Sequence, residues 1–183
     1  GAGRGNNSRR GPRYSPQKGG IDLASKPFKS AISEIAEHTF NTGQNKYAAQ
    51  FTQSREEIAN YLQRTSTDEG YLVAETIRTG KEQTIPLPPP VDPNAADKAD
   101  LEIIRSEDVK TIAKRQQKLS EALKRGYATV YGQCSQEVRD KLKATENWEA
   151  TKKDQSLHEL IGKIERICVG FDDHKQEVFN LVQ

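Results

Sequence analysis

The sequence predicts an all-α protein, and three observations carry that prediction. From Phe28 onward apolar residues recur at three- and four-residue intervals. No alternating apolar–polar run is long enough for a strand. Helix punctuation brackets the periodic segments, with Ser66/Glu69 and Ser156/Glu159 spaced as capping boxes and Gly80 and Gly170 as stops. With 33% hydrophobic and 30% charged residues in 183, the chain has material for one modest core or two small ones.

Residues 1–27 form a basic arm rather than a folded element. Gly, Arg, Asn, Ser, Pro and Gln dominate residues 1–20, with Tyr14 as the one aromatic, too little apolar surface to offset the entropy of ordering. Residues 28–80 are expected to form an N-terminal helical region. Phe28, Ile32, Ile35 and Ala36 share a face of a short helix that the Asn41-Thr42-Gly43 turn ends. A second helix, Gln44 to Arg64, carries Ala48, Phe51, Ile58 and Leu62, and a third carries Tyr71, Ala74 and Ile77.

Five of the eight prolines fall in residues 81–97, which predicts a stiff linker, since proline removes a backbone donor and restrains its predecessor. Residues 98–183 are expected to form a C-terminal helical region. Its long helix, Ala99 to about Tyr131, runs through Leu101, Ile104, Val109, Ile112, Leu119, Leu123, Tyr127 and Val130, with room for a break at Gln116. Ser135 opens a helix with Val138 and Leu142, a loop holds Trp148, and the Ser156 cap leads Leu157, Leu160, Ile161, Ile164 and Ile167 up to Gly170. A last helix starts near Asp172 and is cut off at Gln183, so the region reads as truncated.

Composition excludes several functions. Mean hydropathy is −0.86 and no window approaches the roughly 18 apolar residues of a membrane span. With no export signal and two isolated cysteines, Cys134 and Cys168, the chain reads as a cytoplasmic protein with reduced, structural thiols. A chain without any Met reads as a processed product or an excised fragment. Only His38, His158 and His174 supply imidazoles, none at metal-ligand spacing, and no phosphate-binding loop occurs, so the expectation is no catalytic residues, no metal, no cofactor and no small-molecule substrate. His158 reads as a surface histidine.

Charge is unevenly placed. Residues 1–29 hold seven bases against Asp22, and the rest holds twenty-one bases against twenty-five acids, so a +6 arm precedes a −4 body. Arg4, Arg9, Arg10, Arg13 and Lys18 set cations on a Gly-rich backbone that can track phosphates, which points to RNA or single-stranded nucleic acid; a solubilising tail is the plainer alternative.

The stretch Tyr127-Ala-Thr-Val-Tyr-Gly-Gln-Cys-Ser-Gln-Glu-Val-Arg-Asp-Lys-Leu-Lys143, followed by Trp148, Leu157 to Leu160 and Ile164-Glu-Arg-Ile-Cys-Val-Gly-Phe171, resembles the Gag polyproteins of copia-type LTR retrotransposons, of the kind common in diatoms and other algae. The resemblance extends loosely over residues 33–183. It implies a structural protein whose helical capsid-like region self-associates into a virus-like particle around RNA, and not an enzyme. The Cys-x-x-Cys-x-x-x-x-His-x-x-x-x-Cys knuckle and the Asp-Ser/Thr-Gly protease signature are both missing from this sequence. Core or self-association positions are expected at Leu119, Leu123, Tyr127, Val138, Leu142, Trp148, Leu157, Leu160, Ile164, Ile167 and Phe171. A non-assembling RNA-binding adaptor is the alternative.

Overall fold

A computed structural model of the chain describes residue 1 and residues 26–180, with Asn45 and residues 171–180 described by backbone only. Among the described residues the structure is helical and has no strand, apart from one isolated bridge between Phe40 and Cys134. Six α-helices follow a 3-10 turn at Ser33–Ile35: α1 (Asn45–Thr65), α2 (Gly70–Thr79), α3 (Lys98–Gly132), α4 (Gln136–Lys143), α5 (Trp148–Asp154) and α6 (Leu157–Asn180).

The core is one continuous cluster. It takes Phe51, Ile58 and Leu62 from α1, Val73, Ala74 and Ile77 from α2, the last turns of α3, and Leu160, Ile161 and Ile164 from α6. Helices from both sides of the Pro-rich segment therefore share one interior. Gly126 makes the closest crossing possible: a Cβ there would sit 3.0 Å from the Leu157 side chain and 3.2 Å from that of Val73. A side chain there would require Leu157 and Val73 to shift.

Several expected elements take another form. The helix expected around Phe28 to Ala36 shrinks to the single turn at Ser33–Ile35, because the carbonyls of Ile35, His38 and Phe40 are bonded instead to Gln133 and Ser135 in the turn that follows α3. Ser66 and Glu69 form no capping box. Glu69 stands at φ 54° ahead of α2, and its carboxylate takes hydrogen bonds from Arg115 at 2.6 and 3.1 Å. Tyr71 is 61% exposed, and α2 turns Val73, Ala74, Thr76 and Ile77 inward. Trp148 starts helix α5 rather than lying in a loop, between left-handed residues Asn147 and Gln155.

The Ser156/Glu159 box is not made either. The Ser156 amide donates to the Thr151 carbonyl at 3.2 Å, and Glu159 accepts from the Thr151 hydroxyl at 2.7 Å. Nor does Gly170 stop a helix: α6 runs through it to Asn180, which a single interior glycine permits at about 1 kcal/mol. Gly80, in contrast, ends α2 in the left-handed conformation that its lack of Cβ allows.

Residues 81–97 carry no helix and lie against α3. Ile85 is buried in the core, and its carbonyl accepts from the Gln116 amide at 2.7 Å. Farther on, the Arg105 guanidinium donates to the carbonyls of Pro89 and Pro88 at 3.0 and 3.3 Å. α3 passes through Gln116 without the break its sequence allowed.

Candidate functional site

The stretch Tyr127–Lys143 spans the junction where α3 ends and α4 begins. Gly132, Gln133, Cys134 and Ser135 make the turn, which is tied to the segment before α1 by backbone and side-chain hydrogen bonds, although the buried Gln133 Oε1 has no partner among the described residues. The buried Gln133 amide donates to the carbonyls of Ile35 at 2.7 Å and His38 at 2.8 Å. The Phe40 amide donates to the Gln133 carbonyl at 2.9 Å, and the Ser135 amide donates to the Phe40 carbonyl at 3.0 Å. The Ser135 hydroxyl then caps α4 by accepting from the Val138 amide at 3.4 Å. One turn thus fastens the chain's first described segment to its last third.

An aromatic ladder stands beside it. Tyr127 stacks on Tyr131 at 6.3 Å between ring centroids, Tyr131 on Trp148 at 6.0 Å, and the Arg139 guanidinium sits 4.8 Å from the Tyr131 ring centre. With Tyr127 and Trp148 almost wholly buried, the ladder is a packing device and offers no open face for a nucleobase. On α6, the buried Lys163 donates its ammonium to the Glu146 carbonyl and so fixes the α4–α5 corner.

The thiols are arranged against reactivity. Burial, and secondarily the nearby Cys168, drive the Cys134 thiol far above its ordinary 9.0, and burial pushes Cys168 up to about 12. Nucleophilic and metal-binding chemistry needs thiolate, which these surroundings suppress at neutral pH. Among the described residues no group of three or more His, Cys, Asp or Glu side chains could hold a metal ion.

A cleft of about 480 Å³ opens between residues 82–85, α3 and the α5–α6 corner. His158, half-buried rather than on the open surface, borders it, with its Nδ1 3.3 Å from the Ser156 hydroxyl. This is a contact within one helical turn, and the neighbouring carboxylate of Glu159 is engaged by Thr151 instead of orienting the imidazole. The geometry closes the turn and does not assemble a nucleophile–base–acid relay.

Of the residues expected to form core or self-association surface, Leu119, Tyr127, Val138, Leu142, Trp148, Leu157, Leu160, Ile164 and Ile167 are buried and Leu123 is partly so. The side chain of Phe171 lies outside the described residues, as do Arg4, Arg9, Arg10, Arg13 and Lys18. Ile104 leaves the stripe it was expected to join: it is 57% exposed, and its neighbour Ile103 is 65% exposed. All five buried residues of α3 fall between Leu119 and Val130. The first half of this helix therefore buries no residue completely: one face, with Leu101, Arg105, Val109 and Ile112, is half-covered, and the rest is surface. Comparison with known protein families, with curated proteins and with solved structures finds no match for the chain.

Proposed function

We propose that the chain is a Gag-like structural protein of a copia-type LTR retrotransposon, self-associating into a virus-like particle and packaging RNA. The helical body supplies the subunit contacts, and the basic arm contacts nucleic acid. The observation that supports this reading most is the use to which the motif residues are put. Gln133, Cys134, Ser135, Arg139 and Trp148 are engaged in hydrogen bonding and packing that hold one helical unit together. A motif built for architecture suits a protein whose work is to be a rigid building block.

In the arm, guanidinium groups on a flexible backbone neutralise phosphates without fixed geometry, so binding is sequence-tolerant and weakens steeply with salt. Six net charges limit the log–log salt slope to about −4 for single strands. The test is paired. Light scattering and electron microscopy on the chain with and without RNA should show concentration-dependent assembly that RNA promotes. Deleting residues 1–20 should remove most RNA affinity in fluorescence anisotropy at low salt. A chain that stays monomeric with RNA at every concentration, yet still binds it, would favour the adaptor reading; equal RNA affinity after the deletion would remove the arm from the account.

A further inference from the structure

The outward face of α3 is divided by charge. Residues 97–108 hold five acids against Lys98 and Arg105, whereas residues 110–125 hold six bases against Glu121. At 3.6 residues per turn, Asp100, Glu107, Thr111, Lys114, Lys118 and Arg125 fall within about 60° of one another around the helix. All six are exposed. They form one straight stripe, acidic at its start and basic toward the core end, about 38 Å long at 1.5 Å per residue.

Apolar surface accompanies the acidic end. Four large hydrophobic side chains are exposed among the described residues, and Ile103 and Ile104 flank the stripe there. At the basic end a groove of about 480 Å³ runs between α3 and the α1–α2 corner, with Tyr61 and Leu62 in its wall and Lys118 and Arg125 on its rim.

We infer that a second copy of this chain docks along α3 in antiparallel orientation, about a two-fold axis near residues 112–113. In that register positions whose numbers sum to 225 face one another, so Asp100 meets Arg125 of the second copy and Glu107 meets Lys118, and each pairing occurs twice. Ile103 and Ile104 approach the second copy in the turn around its exposed Glu121, on the wall of the groove. An isologous contact of this kind needs a surface complementary to itself, which a helix with opposite charges at its two ends provides. Asp100, Lys114 and Arg125 make no ion pair among the described residues, whereas Glu107 pairs with Lys110 and Lys118 with Asp68 in exposed contacts that exchange partners at little cost. The inference rests on the self-association reading above and names its surface.

Two charge-reversed forms of the full chain test it: D100K/E107K, whose stripe carries no acid, and K118E/R125E, whose stripe keeps Lys114 as its one base. In sedimentation velocity each alone should dimerise at least about tenfold more weakly than the parent chain, because like charges then face one another. Mixed in equal amounts they should recover association to within about threefold of the parent, with heterodimers seen by energy transfer between differently labelled forms. Unchanged thermal unfolding of both separates this from misfolding. Undiminished self-association in both variants overturns this surface and leaves the assembly reading standing. A parent chain that is monomeric throughout overturns both. A loss of affinity for single-stranded RNA in K118E/R125E, with self-association unaltered, overturns the dimer contact and assigns the basic stripe to phosphates.

Discussion

The two halves of α3 form a single helix under opposite conditions. From Leu119 to Val130 it buries Leu119, Ala122, Gly126, Tyr127 and Val130 against α2 and α6. From Lys98 to Lys118 no residue is buried, and the partners are the carbonyls of Ile85, Pro88 and Pro89 together with Glu69 and Asp68. Prolines donate no backbone hydrogen bond, but their carbonyls remain acceptors, and Arg105 uses two of them. Helical periodicity continues through both halves, yet the core ends with the residues that have something to pack against. The lesson is that an amphipathic stripe says which residues share a face, not whether another element covers it.

The sharpest way to break the comparison is to place one charge on each side of it. Leu160, fully buried on α6, packs in the interior that the end of α3 completes, and Leu160→Asp should lower stability by more than about 4 kcal/mol, enough to unfold a marginal domain. Ile104→Asp should change it by less than about 0.5 kcal/mol, as an exposed substitution does. Urea denaturation followed by circular dichroism measures both. Similar losses in the two variants would mean that the first half of α3 is covered after all.

A smaller effect is expected at the turn that ends the helix. Gln133→Leu leaves the carbonyls of Ile35 and His38 without their donor, at about 2 kcal/mol, and should make residues 28–43 susceptible to proteolysis before the rest unfolds. Cleavage elsewhere first would show that this fastening is not what holds the segment.

The same junction carries a pH signature. Cys168 is raised from 9.0 to about 12, and Cys134 moves further in the same direction, so the folded state keeps protons that the unfolded chain releases. Their contribution is fully present below pH 9 and is lost as pH rises toward 12, at about 1 kcal/mol per thiol per pH unit. Cys134→Ala/Cys168→Ala should flatten the decline between pH 9 and pH 11 in denaturation curves, and an unaltered slope would contradict the burial of the thiols. A small effect is expected in the first half of α3: Arg105→Ala should cost about 1 kcal/mol or less while raising amide exchange at the non-proline positions of residues 85–91.

The sequence made the bounds of α1 and α3 and the start of α4 legible to within a residue or two, because a turn or cap marks where each begins or ends. α5 stayed hidden: seven residues with left-handed flanks at Asn147 and Gln155 give neither a periodic stripe nor a capping side chain. Both capping boxes misled, since their Glu side chains are drawn to Arg115 and Thr151, partners that only the tertiary fold brings near. For the same reason the Gln133 clamp was unreadable, as its acceptors lie 98 and 95 residues away. The charge division of α3 was written in the sequence, but its meaning depends on that face being uncovered, which residue spacing cannot tell.

Amide hydrogen exchange, followed along α3 at low and at high protein concentration, tests most directly whether one helix is core at one end and free surface at the other. In dilute solution, amides of residues 119–132 should exchange about a hundredfold more slowly than those of residues 99–112, which frays without a core. Raising the concentration should then protect residues 99–112 selectively, as a second copy covers them. Equal protection along the whole helix in dilute solution would contradict the account.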